Sequence, residues 1–210
     1  MRQRVRNFIR NCDVCQRHKV EQLAPAGLLQ PLPIPKQIWE DISIDFIDGL
    51  PLSNGKSTIF VVVDRLSKYA HFIAISHPCT AVGVAKIFFD HVFKLHGMPC
   101  SIVCDRDSTF TSLFWQELFR LNGTTFNFSS SYHSQTDGQS EVVNRTLEIY
   151  LRCFTSSQPK DWMKWLTWAE YCYNTSWHTT IKMSPFEVVY GCPPPTLLSY
   201  VPGTAKVVAI

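Results

Sequence analysis

The stretch SIDFIDGLP, residues 43–51, decides how this chain folds. It has the β-branched and aromatic content of a strand, yet it carries two aspartates. In a strand, successive side chains point to opposite faces. Ile42, Ile44, Phe46 and Asp48 therefore share one face, and Ser43, Asp45 and Ile47 share the other. Asp48 stands at the strand's end beside Gly49-Leu50-Pro51, where an acid at a turn reaches solvent. Asp45 is central. If helices cover both faces of the sheet, Asp45 is at least partly buried. A buried carboxylate needs a cation, hydrogen bonds or its proton.

The flanking sequence predicts the sheet around it. Residues 39–50 read as the first strand, and Asn54-Gly55 is a strong hairpin signal. The run TIFVVVDRLSKYAHFIAIS gives two more strands, about 58–64 and 68–75, with a turn near 65–67. Then TAVGVAKIFFDHVFKLHGMP is a helix, capped by Thr80 and ended by Gly97 and Pro99. CSIVCD is a short strand closing on an acid, TSLFWQELFRLNG a helix stopped by Gly123, and TTFNFS a strand. A polar loop, 129–138, leads to two long helices, QSEVVNRTLEIYLRCF and DWMKWLTWAEYCYNTSWH. A last short helix has Ser184 as N-cap and Pro185 at its first position. Three strands in a meander, then alternating strands and helices, predict an α/β fold. The layout is that of ribonuclease-H-like proteins: a mixed five-stranded sheet with helices on both faces.

Upstream, residues 2–18 read as a helix running into CDVC, and 22–38 hold four prolines without a steady period, the mark of a linker. Apolar content of 45% argues against a disordered chain. The formal charge of +3 is unevenly placed: residues 1–20 carry +5, leaving about −2 on the rest. A basic head suits a polyanionic partner. The first ten residues have no apolar core segment, so no signal peptide is expected, and no run of 18 apolar residues predicts a membrane span. With no secretory signal, the eight cysteines read as reduced thiols of the cytosol or nucleus.

Two further acids are placed to join Asp45. Asp105 lies at the C-terminal end of a strand, where sites in open α/β sheets gather, and Glu141 lies in the first turn of a helix. Each has an ordinary reading, as a loop acid or as a partner of the helix dipole. Together, three carboxylates from two strands and a helix would repel unless a cation sat between them. An all-oxygen donor set points to Mg²⁺ or Mn²⁺. Two such ions can activate an attacking oxygen and stabilise the leaving one in phosphoryl displacement.

The segments CDVCQRHK, PAGLLQPLPIP, WEDISIDFIDGLP, FVVVDRLSKYAHFI, GMPCSIVCDRDSTF, SSYHSQTDGQSEVVNRTLE and SPFEVVYG, with 35 residues between Asp105 and Glu141, resemble the integrases of gypsy-type long-terminal-repeat retrotransposons. The resemblance implies a catalytic core over 39–192, a zinc-domain remnant over 1–20, a linker over 21–38, and a tail, 193–210, leading toward a C-terminal domain. It implies a polynucleotidyl transferase with the acid triad Asp45, Asp105 and Glu141 holding two Mg²⁺ or Mn²⁺ ions. The reactions would be 3′-end processing and strand transfer, on element and target DNA, by a homo-oligomer in the nucleus after synthesis in the cytoplasm. No membrane or small-molecule substrate is implied.

Asn144 and Arg145 share the helix face of Glu141, for contact with DNA or orientation of the site. Tyr132 and His133 sit in the loop that would close on DNA. Asp64 reads as structural and Asp107 as a loop cap. Cys12 and Cys15 supply half of a zinc site; the family's two upstream histidines have no counterpart in the eleven residues before Cys12, so the Zn²⁺ site is expected to be incomplete. Two alternatives stay open: a domesticated or decaying fragment that binds nucleic acid or protein without catalysis, and a stand-alone nuclease of the same fold. Trp162, Trp165, Trp168, Tyr171 and Tyr173 load one helix with aromatics, most of them expected in the core and some on a self-association face.

Overall fold

The computed structural model describes residues 2–14, 34–128, 138–156 and 158–195. The basic head forms α1 (Arg2–Asn11). The meander follows as β1 (Asp41–Ile47), β2 (Thr58–Asp64) and β3 (Ala70–Ile75). After α2 (Ala81–Phe88) come β4 (Ser101–Cys104), α3 (Leu113–Leu121) and β5 (Thr125–Phe128). Three helices close the described chain: α4 (Gly138–Thr155), α5 (Trp162–Thr175) and α6 (Pro185–Tyr190). The five strands form one sheet in the order β3-β2-β1-β4-β5, as the ribonuclease-H-like reading expects. The first three pair antiparallel; β4 and β5 run parallel to β1.

Helices cover both faces. Ile42, Ile44 and Phe46 face one core, shared with Val84 and Phe88 of α2 and Trp115 and Phe119 of α3. Ile47, Ile59, Val61 and Val63 face the other, shared with Val143, Leu147 and Leu151 of α4 and Trp162 and Leu166 of α5. The alternation read from residues 42–47 therefore holds. β2, central to the meander, is buried along its whole length.

Local signals set most boundaries. The Thr80 side chain accepts the Gly83 N–H at 3.1 Å, and Ser184 and Glu187 form a reciprocal capping box at the start of α6. Asn54 and Gly55 take positive φ in the β1–β2 connection. Two boundaries differ from expectation. β3 starts at Ala70 instead of 68, because Lys68 takes a left-handed φ of 65° and its N–H bonds the Asp64 carbonyl. The helix after Thr80 is not uniform: α2 passes into a π-helical turn, Phe89–Phe93, and a last turn, Lys94–His96.

Asp64 is fully buried at the end of β2, where its carboxylate accepts from the Trp39 N–H (2.9 Å), the Ser67 N–H (2.8 Å) and the Ser67 hydroxyl. It is a structural acid, as expected. The free edge of β3 is closed by α5: Asn174 both donates to the Ala70 carbonyl and accepts from its N–H, each at 2.8 Å. Glu170, one turn earlier, accepts the Phe72 N–H at 2.8 Å.

Candidate active site

The parallel pairing of β1 with β4 runs from Asp41 opposite Ser101 to Ile44 opposite Cys104. An aspartate follows each member of that last pair: Asp45, still on β1, and Asp105, just past the end of β4. Ile44 and Cys104 point into the α2–α3 core. Alternation turns Asp45 toward the α4–α5 face, and the charge of Asp105, just past the end of β4, acts on it there. α4 packs against β1 and β2 there.

Asn144 fixes the relation between α4 and the strand. Its Nδ2 donates to Asp45 Oδ2 at 2.7 Å, while the Phe46 N–H donates to Asp45 Oδ1 at 2.8 Å. The hydrogen bond sets the Asn144 amide against the Asp45 carboxylate. Asn144 Oδ1 is buried without a hydrogen-bond partner. Glu141 lies three residues earlier, exposed on the first turn of α4.

The electrostatics identify these groups as neighbours. Burial pushes the Asp45 carboxyl up to about 6; the Phe46 N–H and Asn144 oppose this, and the charges of Asp105 and Glu141 add to it. Asp105 is also raised, first by burial and then by the charges of Asp107 and Asp48, against the Asp107 N–H that donates to its Oδ1 at 3.0 Å. Asp107 caps the loop by accepting the Thr109 N–H at 2.7 Å.

Asp48 lies just past the end of β1, the solvent-reaching turn acid that the sequence predicts. It is exposed, it accepts from the Thr58 hydroxyl at 2.6 Å, and its charge reaches Asp105. Strand alternation set it on the opposite face, but β1 ends at Ile47, so the alternation lapses one residue too soon to apply.

Every charged group that shifts Asp45 or Asp105 is another carboxylate. An all-oxygen set whose members raise one another's proton affinity is relieved by a hard divalent cation, so the donors fit Mg²⁺ or Mn²⁺. Among the described residues no three His, Cys, Asp or Glu side chains converge tightly enough to hold a metal ion as they stand. Arg145 is exposed on α4, beside Asn144. Tyr132, His133 and Cys15 lie outside the described residues; Cys12, half-buried, follows α1. No helix among the described residues is long and apolar enough to cross a membrane.

No family model matches the chain. It is 37% identical over 190 residues to the Tf2-3, Tf2-4 and Tf2-5 transposon polyproteins of Schizosaccharomyces pombe, covering 90% of this chain. This chain is a relative of the Tf2 transposon polyproteins. It spans 14% of their length. The fold of this Tf2 relative is that of retroviral integrase catalytic cores. A chain of the simian T-cell lymphotropic virus intasome, solved with PP2A regulatory subunit B56 gamma, matches with a TM-score of 0.65 at 17% identity, over 98% of this chain and 73% of that one. The magnesium-bound HTLV-2 integrase core, in its trimeric form, matches at 0.58 and 16% identity, over 71% and 95%. The BIV integrase core matches at 0.54 and 19%, over 71% and 93%.

Proposed function

We propose that this Tf2 relative is the catalytic core of a retrotransposon integrase, a polynucleotidyl transferase that processes the 3′ ends of element DNA and joins them to target DNA. The observation that carries the reading is that the charges of Asp105, just past the end of the parallel neighbour β4, and of Glu141, in the first turn of α4, act on Asp45 of β1. Divalent Mg²⁺ or Mn²⁺, held by these three acids, would supply activation of the attacking oxygen and stabilisation of the leaving one. The chain's own residues set the geometry. Asn144 and the Phe46 N–H each hold one oxygen of Asp45, which fixes the carboxylate's rotation against β4. The Asp107 N–H does the same for Asp105. Half-burial of both aspartates keeps water from screening them, so their charge acts at close to full strength on whatever cation they hold. Arg145, exposed one residue past Asn144, is placed for a DNA phosphate. Tyr132 and His133 are the loop candidates for contact with DNA.

The substrate makes the nucleus the place of action and two DNA ends the reason for a homo-oligomer. The test is a strand-transfer or reverse-joining assay with labelled oligonucleotides and Mn²⁺ or Mg²⁺. Wild type is expected to nick or join the DNA, and Asp105→Asn to abolish this. Equal activity in the substituted protein would remove Asp105 from the mechanism. A wild-type chain that binds DNA but never cuts it would leave a binding module.

A further inference from the structure

A second set of titratable side chains lies apart from the carboxylates, at the β3 edge of the sheet. Its parts come from four elements. His71 is on β3, His96 is on the last turn after the π-helical segment, Glu170 is on α5, and Trp39 precedes β1. Glu170 uses both oxygens: Oε2 accepts the Phe72 N–H, and Oε1 lies 3.2 Å from His71 Nδ1. A carboxylate there places the neutral ring's proton on Nδ1 and leaves Nε2 with a bare lone pair. That Nε2 faces the Nε2 of His96 at 2.9 Å. The Trp39 indole stacks on the His96 ring with centroids 3.7 Å apart and planes within 10°, and lies 5.4 Å from the His71 ring. Tyr69 packs edge-on to both Trp39 and His71.

We propose that His71 and His96 form a two-imidazole site for a square-planar divalent transition metal, Cu²⁺ or Ni²⁺, with Glu170 orienting His71 from behind. The 2.9 Å between the two nitrogens is that of an N–H···N hydrogen bond in the metal-free chain, so the rings share one proton, which a bound ion displaces. Nitrogens bound at about 2.05 Å stand about 2.9 Å apart in adjacent positions of a square plane, and about 3.3 Å apart in a tetrahedron, so the square plane needs the smaller movement of the rings. The carboxylate behind His71 is the partner that metal-bound imidazoles generally have. Only neutral imidazole can bind a metal, and burial, with His71 adding to it, depresses His96 to about 4. The site has two protein ligands, and the His71 side chain is 12% exposed, which lets water complete the coordination. This site is independent of the carboxylates: it is two strands removed from β1, and nitrogen donors select a different ion from oxygen donors.

Trp39 makes the test specific. Paramagnetic Cu²⁺ held against His96 quenches the indole stacked on that ring, whereas ions at scattered surface histidines leave that indole unquenched. The full chain, stripped of metal, is titrated with Cu²⁺ while tryptophan fluorescence is followed. One equivalent is expected to produce a sharp quench, which Trp39→Phe removes without removing binding. His71→Ala and His96→Ala are each expected to weaken binding at least tenfold, and Glu170→Gln by about tenfold. Electron paramagnetic resonance of the Cu²⁺-loaded wild type is expected to show coupling to two imidazole nitrogens, a readout that needs no variant to fold. Absence of Trp39-dependent quenching at one equivalent, or coupling to fewer than two nitrogens, would overturn the site. The two histidines would then only share a proton.

Discussion

Asp45 and Asp64 sit on neighbouring strands of one hairpin, three rungs apart in register, and their surroundings are opposite. Asp64 is completely buried, yet two backbone N–H groups and a hydroxyl converge on it. Asp45 is less buried and has only two donors, with other acids as its charged neighbours. The fold has solved the solvation of Asp64 internally and left that of Asp45 unfinished. An acid with its donors supplied holds a turn together. An acid short of donors, facing other acids, is where the proposed cation would act.

The sharpest way to break this contrast is to neutralise each acid. Asp45→Asn or Asp105→Asn is expected to lower metal-dependent strand joining by at least about 10³-fold, roughly 4 kcal/mol of barrier, while the thermal midpoint stays near wild type. Asp64→Asn should do the reverse. Loss of its charged acceptor is expected to cost about 2–4 kcal/mol of folding stability in a denaturant titration. If Asp64→Asn folds like wild type, the division between the two acids fails.

The pH dependence of stability sharpens the same point. Asp45 titrates near 6 in the folded chain and near 3.8 when unfolded. Between those values the folded state binds more protons, so this group makes stability fall as pH rises, by about 2–3 kcal/mol in total. His96, depressed from 6.5 to about 4, acts oppositely over nearly the same range: the unfolded state binds more protons, so stability rises with pH. In metal-free buffer the two slopes oppose each other. Asp45→Asn should expose the rising limb and His96→Gln the falling one, in unfolding measured from pH 4 to 7. Identical pH profiles for both variants would contradict the assignment.

Smaller effects follow from the supporting residues. Asn144→Ala removes a donor that holds down Asp45's proton affinity. It is expected to shift the acid limb of the activity profile to higher pH and cost about 1 kcal/mol of stability. Thr80→Ala removes only the α2 cap, so about 1 kcal/mol of stability and no change in joining rate are expected.

The sheet, its order and the separation of its two faces were legible in sequence because they rest on local signals: period-2 alternation, Asn54-Gly55, Thr80, Ser184. So were Asp45 as the anomalous acid and Asp64 as structural. What escaped depends on partners far apart in the chain. Glu170 reaches His71 and Phe72 across 99 and 98 residues, and Asn174 reaches Ala70 across 104. No pattern within β3 announces that an acid and an amide of a distant helix will complete its edge. The π-helical turn escaped as well, since Phe89–Phe93 keeps the apolar spacing of an ordinary helix.

The pairing of Glu170 and Asn174 with β3 restricts how the molecule can join others. With the Ala70 and Phe72 amides already engaged, a guest strand finds no ladder to extend on that side. The opposite border is β5, four residues long. Copies of this chain assembling on DNA, as proposed above, would therefore meet mainly through helices and loops, and their association would respond to substitutions of surface side chains far more than to changes in backbone pairing.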